Sequence, residues 1–546
     1  MGAIGVVLFM LGAVIVSGIL VRVIPIPVPT PLVQIALGAA IAAGSQHKVE
    51  LDPEVFFLLF LPPLLFLDGW RIPKEGLLRD KGFILELALG LVIFAVLGMG
   101  LFIHWMIPAM PLAVAFALAA IVSPTDPVAV SAISARTPIP KRLMHVLEGE
   151  SLLNDASGLV CFRFAVAAAL TGTFSLSSAA LTFVQLAVVG VLAGVGLTIV
   201  IVEAKSWISR RFGEEVGSQV LLSLLIPFGA YELAEHFGGS GILAAVAAGI
   251  TMSYAELSGR SVATTRVQRA AVWDTVQFAL NGVMFVLLGE QLPGIFAGAV
   301  DAVRESNHEN PWWLLVYVLA INFGLAALRF LWVWVSLAIA RKSAIRSGNP
   351  DNAPRPSWRV VAAMSVAGVR GAITLAGVLT LPLFLPDGSE FPARDLAIFL
   401  AAGVIILSLT AASIALPRLL HGLPKEPDSE KEAATERAQI VSAQAAIEAV
   451  EKRWHELAHG HADADLYADA AARVLELYRR RLQGSTLGED AVRIRQANEI
   501  ERTLRLAGLR AEREAIFALA RAHEISDAKS RELVREIDLM EERLGK

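Results

Sequence analysis

IVSPTDPVAV, residues 121–130, places two prolines around a threonine and an aspartate inside an otherwise apolar segment. Pro124 and Pro127 each lack an amide hydrogen and obstruct the turn before them, so a helix through this stretch opens around Thr125 and Asp126. The freed carbonyls and the Asp126 carboxylate then stand where a bilayer offers no water. A charge at that depth costs at least about 2.5 kcal/mol even on lenient scales, so its presence points to a function.

The bilayer itself follows from composition. Of 546 residues, 55% are hydrophobic and only 18% are charged, with a mean hydropathy of +0.60. Soluble domains carry about 25% charged residues, and about 20 apolar residues suffice to cross a hydrocarbon core. Read in windows of about 19 residues, the first 420 residues hold thirteen apolar segments, near 3–21, 25–43, 52–70, 82–106, 110–134, 143–171, 179–202, 217–237, 240–257, 271–293, 311–340, 360–385 and 396–419. Backbone amides in lipid must be bonded internally, so these segments predict helices and the fold class is an all-α polytopic membrane protein.

Loop charge sets the expected orientation, because cytoplasmic loops carry the excess of Lys and Arg. Alternate loops, starting with the one that holds Arg22, contain nineteen such residues against three on the other side (Lys48, Arg304 and Arg394). The N-terminus is thus expected outside and the C-terminus in the cytoplasm, in a multi-pass plasma (inner) membrane protein whose first span is retained. The single Cys161 lies within a span and excludes an intramolecular disulfide framework.

Composition changes abruptly after residue 420. PKEPDSEKEAATERAQ opens a tail, 421–546, rich in Ala, Glu and Arg with apolar residues at helical spacing, among them Val441, Leu457, Ile500 and Leu504. The division is therefore a transmembrane domain over 1–420 and a soluble helical, regulatory tail over 421–546. His455, His459 and His461 lie close together in it, but no cysteine or further histidine is near, so solvated surface is the expectation there.

Charged residues inside the spans are Asp68, Glu86, Asp126, Glu148, Glu150, Asp155, Arg163, Glu232, Glu235, Asp274, Glu290, Arg329 and Arg370. Acids outnumber bases, which favours a path for cations. Glu86, Arg163, Glu235, Asp274 and Glu290 lie within about two turns of a span end, where a side chain can reach the interface. GESLLNDASG, 149–158, has no such excuse. At about 100° per residue, Glu150, Ser151, Asn154, Asp155 and Gly158 fall within about 140° of arc, a polar stripe that faces protein or a wet cavity while Leu152 and Leu153 point away.

A second interruption is expected at AGVRGAITLAG, 367–377, where glycines weaken span 12 and Arg370 stands at the break. Broken helices in corresponding positions of two halves point to an inverted repeat with an ion site at mid-membrane. Spans 1–6 and 8–13 form the halves and span 7 connects them, so that span 5 maps onto span 12.

FFLLFLPPLLFLDG (56–69), SPTDPVAV (123–130), GESLLNDASGLV (149–160), SGILAAVAAGI (240–250) and GVRGAITLA (368–376), in this order, resemble the monovalent cation:proton antiporters of the NhaP and NHE type. The resemblance covers nearly all of residues 1–420. It implies a thirteen-helix inverted-repeat fold, a homodimer and alternating access, in which spans 4–6 and 11–13 move against the others. It also implies that Asp155 binds the monovalent cation or the proton, with Asn154 as neutral partner and Ser151 and Thr125 as oxygen ligands. Asp126 would support the crossing, Asp68 would lie near the ion path, and Glu150 with Arg370 would form a structural ion pair. Asn followed by Asp, as at 154–155, resembles the electroneutral class.

Physical chemistry gives the same coupling. Carboxylates partly withdrawn from water titrate nearer neutrality, so proton and cation compete for one such group, which is the requirement of an exchanger. The expected function is exchange of Na+, with Li+ a further substrate, for H+; K+/H+ exchange on the same fold is the alternative, since selectivity depends on cavity size and carbonyl placement. A cation channel would need a continuous pore, against which the broken helices argue. No nucleophile with a base, no cofactor motif and no nucleic-acid-binding feature appears, so the expected partners are the transported ions, the lipid bilayer and a second copy of the chain.

Overall fold

A computed structural model describes residues 3–24, 28–44, 53–71, 81–126, 130, 141–172, 176–257, 263–305, 310, 312–346, 357–421, 429–458, 464–484, 489–522 and 524–545. The chain divides into two compact units, Met1–Pro424 and Lys425–Lys546. Pro127, His459 and His461, and loop residues such as Lys48 and Arg136, lie outside the described residues, as do the side chains of Leu152 and Leu153.

The regular secondary structure of the first unit is helical over its described residues, with an isolated bridge between Phe384 and Glu390. Its helices are α1 (Ala3–Val23), α2 (Thr30–Gly44), α3 (Pro53–Arg71), α4 (Lys81–Leu85 continuing through a π-helical turn, Glu86–Leu91, into Val92–Met106), α5 (Leu112–Val122), α6 (Lys141–Thr171), α7 (Leu176–Phe212), α8 (Val216–His236), α9 (Gly241–Leu257), α10 (Ala263–Glu305), α11 (Trp312–Arg346), α12 (Trp358–Val366), α13 (Ala372–Leu379) and α14 (Arg394–Leu420). They overlie the apolar segments read from sequence. Several run well past them, α10 most of all, because hydropathy marks the apolar stretch and not the polar turns that continue a helix beyond it. Among the described residues, six helices are long and apolar enough to cross a bilayer, and further apolar helical stretches of 10–17 residues include α2 and α5.

Lipid is as apolar as leucine, so close packing rather than water exclusion draws such helices together. Small residues allow it. A side chain at Gly38 of α2 would overlap the Val286 carbonyl of α10, and one at Gly289 of α10 would overlap the Ile35 carbonyl of α2. A second centre forms where Trp273, fully buried, stacks on Phe66 at 5.3 Å and donates its indole N–H to Ser223 at 3.2 Å. Large apolar side chains such as Phe9, Trp105 and Phe323 face outward.

The second unit contains α15 (Ser429–Ala458), α16 (Ala464–Gly484), α17 (Glu489–Arg521) and α18 (Asp527–Gly545). Its inner faces carry Ala443, Ala471, Leu475, Leu509 and Ile537, whereas Val441, Leu457, Ile500 and Leu504 are exposed. Helical spacing alone left more than one face eligible, and the one that packs combines alanines with larger aliphatic side chains. Arg513 joins α17 to α18 through Asp538, at 3.3 Å, and Glu541.

Candidate ion-binding site at two interrupted helices

The helical ladder of α5 stops at Val122 and that of α12 at Val366; Gly368 to Gly371 are non-helical before α13 begins. In an unbroken helix the amide of Asp126 would bond the Val122 carbonyl four residues back. Here it donates instead to the Val369 carbonyl at 2.7 Å. The released Val122 carbonyl accepts Arg370 Nε at 2.8 Å. Each break thus satisfies groups that the other leaves open, as buried backbone requires. Arg370 also donates a guanidinium N–H to the Gly368 carbonyl, and its amide donates to Ser408 Oγ of α14 at 3.2 Å. Gly371 lies so close to Asp126 that a Cβ there would overlap the carboxylate.

Helix α6 passes this crossing closely, because a Cβ at Gly158 would overlap Pro124. It presents Glu150, Ser151, Asn154 and Asp155, all buried. Arg329 of α11 donates to both oxygens of Glu150, at 2.5 and 2.6 Å, and its Nε donates to the Met364 carbonyl of α12 at 2.9 Å. Glu150 Oε1 also accepts from Thr125 Oγ1 and Asn154 Nδ2, each at 3.4 Å, and Asn154 Nδ2 donates to Thr125 Oγ1 at 3.0 Å.

The expected pairing of Glu150 with Arg370 is therefore corrected: the partner is Arg329. Arg370 is occupied by carbonyls of the two breaks, whereas Arg329 enters from α11 with its fork aligned to the carboxylate. Both arginines are intramembrane in the sequence, and nothing in the spacing of single spans tells which one faces α6.

Asp155 is 4% exposed and has no hydrogen-bond or ion-pair partner among the described residues. It lies within electrostatic reach of Asp68 on α3, Asp126 and Glu150, and Asp68 in turn of Asp126, Arg71 and Glu148. About two turns beyond Glu150, Ser157 Oγ donates to the Ala88 carbonyl at 2.8 Å. That carbonyl belongs to the π-helical turn of α4, where the ladder loosens.

The oxygens left open here are hard ligands. The Asn154 Oδ1 and Ser123 Oγ atoms are buried without a hydrogen-bond partner, and with the Asp155 carboxylate they offer the donor type that alkali cations take rather than the nitrogen and sulfur preferred by zinc. Among the described residues no group of three or more His, Cys, Asp or Glu is gathered as a metal site.

Residues 10–422 match the family model described as sodium/hydrogen exchanger, transmembrane. The chain belongs to the sodium/hydrogen exchanger family. The exchanger is 40% identical to a protein of Escherichia coli strain K12 named an uncharacterized Na(+)/H(+) exchanger, over 98% of this chain and 97% of that one. It is 38% identical to a sodium, potassium, lithium and rubidium/H(+) antiporter of Bacillus subtilis strain 168, over 96% of this chain and 75% of that one. Its fold is like that of the sodium proton antiporter MjNhaP1 from Methanocaldococcus jannaschii, with a TM-score of 0.56 at 18% identity, covering 77% of this chain and 98% of that chain. The family is one of transporters, and this member is a multi-pass membrane protein.

Proposed function

We propose that this exchanger moves Na+ against H+ by alternating access, one for one and without net charge, with cation and proton competing for Asp155. The observation that carries the reading is the isolation of that carboxylate. Arg329 is spent on Glu150 and Arg370 on the carbonyls of Val122 and Gly368, which leaves Asp155 buried without a counter-charge among the described residues. A buried carboxylate in that position is tolerable only with a proton or a cation on it. Asn154, neutral beside it, adds an oxygen and no second charge, so the occupant changes while the charge of the site does not.

Thr125, Ser151 and Asn154 complete the oxygen shell, Asp126 holds the crossing, and Asp68 with Glu148 lies along the path towards the ends of α3 and α6 that carry the basic loops. Thirteen crossings, a six-helix inverted repeat, an external N-terminus in a plasma membrane, a homodimer and a regulatory tail over 421–546 belong to the same proposal. K+ is the second candidate substrate, favoured by the name of the Bacillus subtilis relative. Proton efflux from proteoliposomes, triggered in turn by Na+, Li+ and K+ under a clamped and then an imposed membrane potential, tests the reading. Exchange that changes with the potential at fixed ion gradients contradicts charge neutrality, and the cation series names the substrate.

A further inference from the structure

Two ion pairs leave α6 for different helices, and they are opposite in character. Glu150 and Arg329 are almost wholly buried, whereas Arg163 Nη2 meets Glu235 Oε1 of α8 at 3.1 Å with side chains 39% and 35% exposed. Glu235 Oε1 is itself fixed by the amide of Gly241, at 3.2 Å, where α9 begins, and the Tyr231 hydroxyl is a second partner of Arg163. The Arg163 guanidinium therefore ties α6 to the corner between α8 and α9.

A cavity of about 580 Å³ lies at the same place, lined by Leu58 of α3, Leu159 and Arg163 of α6, Glu232 and Glu235 of α8, and Thr380 beyond α13. Leu159 is one helical turn from Asp155. The cavity thus comes within one helical turn of Asp155 along α6, and its wall contains the ion pair.

We propose that Arg163 and Glu235 form a breakable tether that holds α6 against α8 in the conformation seen here and parts when α6 carries Asp155 to the other side; this rests on the exchange reading above. Half-exposed pairs are worth little because water competes for both partners, so this one is made and lost at small cost. Separating a buried pair strands a charge, so Glu150 and Arg329 stay together. The two pairs accordingly mark which neighbour α6 travels with, α11, and which it leaves, α8. A contact made in only one of two conformations biases the equilibrium between them.

The test joins the two positions. In a Cys161→Ser background, Arg163→Cys with Glu235→Cys is bridged by a short bifunctional methanethiosulfonate in proteoliposomes, and Na+-driven proton flux is followed before bridging, after it, and after reduction. The expected result is at least a tenfold loss on bridging and recovery with reductant, while single-cysteine proteins treated with a monofunctional reagent keep exchanging. Unbridged Arg163→Gln and Glu235→Gln each shift the half-saturating Na+ concentration by about threefold or more through the altered conformer population, the double variant goes no further, and the swapped pair Arg163→Glu with Glu235→Arg returns it. Full exchange by the bridged protein overturns the tether. So does an unchanged half-saturating concentration in both glutamine variants. No exchange by the unbridged parent overturns the exchange reading and the tether with it.

Discussion

Arg329 on α11 holds both carboxylate oxygens of Glu150 on α6, at 2.5 and 2.6 Å, with neither side chain more than 4% exposed. Because Arg329 Nε also reaches the Met364 carbonyl, this one guanidinium connects the stripe on α6 to the end of α12. Removing either member leaves a buried charge, at an expected cost of about 3–5 kcal/mol, whereas replacing both by apolar residues of similar volume is often neutral. Thermal unfolding in detergent is therefore expected to show a large loss for Glu150→Ala and for Arg329→Ala, and near recovery for Glu150→Leu with Arg329→Met. Exchange is not expected to recover in the double variant, since Thr125 and Asn154 lose the acceptor that orients them. A mild effect of either single change on stability would contradict the pairing.

Gly371 packs against Asp126 with no room for a side chain. A methyl group there would displace the Asp126 carboxylate, and a misplacement of about 1 Å at a reacting centre can cost about 100-fold in rate. Gly371→Ala is expected to lower the maximal exchange rate by at least about tenfold while the protein still purifies as a folded species. Wild-type rates in this variant would show that Asp126 does not hold the crossing.

Competition at a single carboxylate fixes the sign of the pH dependence. The half-saturating Na+ concentration is expected to rise as pH falls, approaching about tenfold per pH unit where the protonated form dominates. Asp387, in the loop between α13 and α14, is a control from outside the membrane: hydrogen bonds from the Ser389 hydroxyl and amide hold its carboxyl below the usual range. A lowered folded value stabilises the loop above the ordinary carboxylate pKa and is lost only on strong acidification. Asp387→Asn is accordingly expected to leave the pH profile of exchange unmoved, and a displaced profile would place part of the pH response in that loop.

Deleting 425–546 is expected to leave exchange in place and to displace its pH profile, because the compact helical unit Lys425–Lys546 contains none of the residues proposed to bind the ion. A folded truncated protein with an unaltered profile would remove the regulatory role from the tail.

Length and apolarity made the helices legible, since each needs only its own segment to be read. The interruption at Thr125 and Asp126 was legible for the same reason: a proline acts on its own turn, and Pro124 suffices to announce the break. Partner choice was not. Arg329 and Arg370 are both buried cations, and what separates them is the Val122 carbonyl released on another helix, a fact that arises only when the two breaks meet. The π-helical turn Glu86–Leu91 was equally silent, because Ala88 reveals nothing until Ser157 of α6 bonds to its carbonyl. In the tail, periodicity showed helices but not their packed face: on α17 Leu509 is buried while Ile500 and Leu504 are exposed.

Cation-triggered proton flux in proteoliposomes, compared between the wild type and Asp155→Asn, measures the competition at Asp155 most directly. Flux in the wild type and none in the variant, with both proteins folded, is the expected result. Equal flux in the two would show that the isolated carboxylate on α6 is not where cation and proton exclude one another.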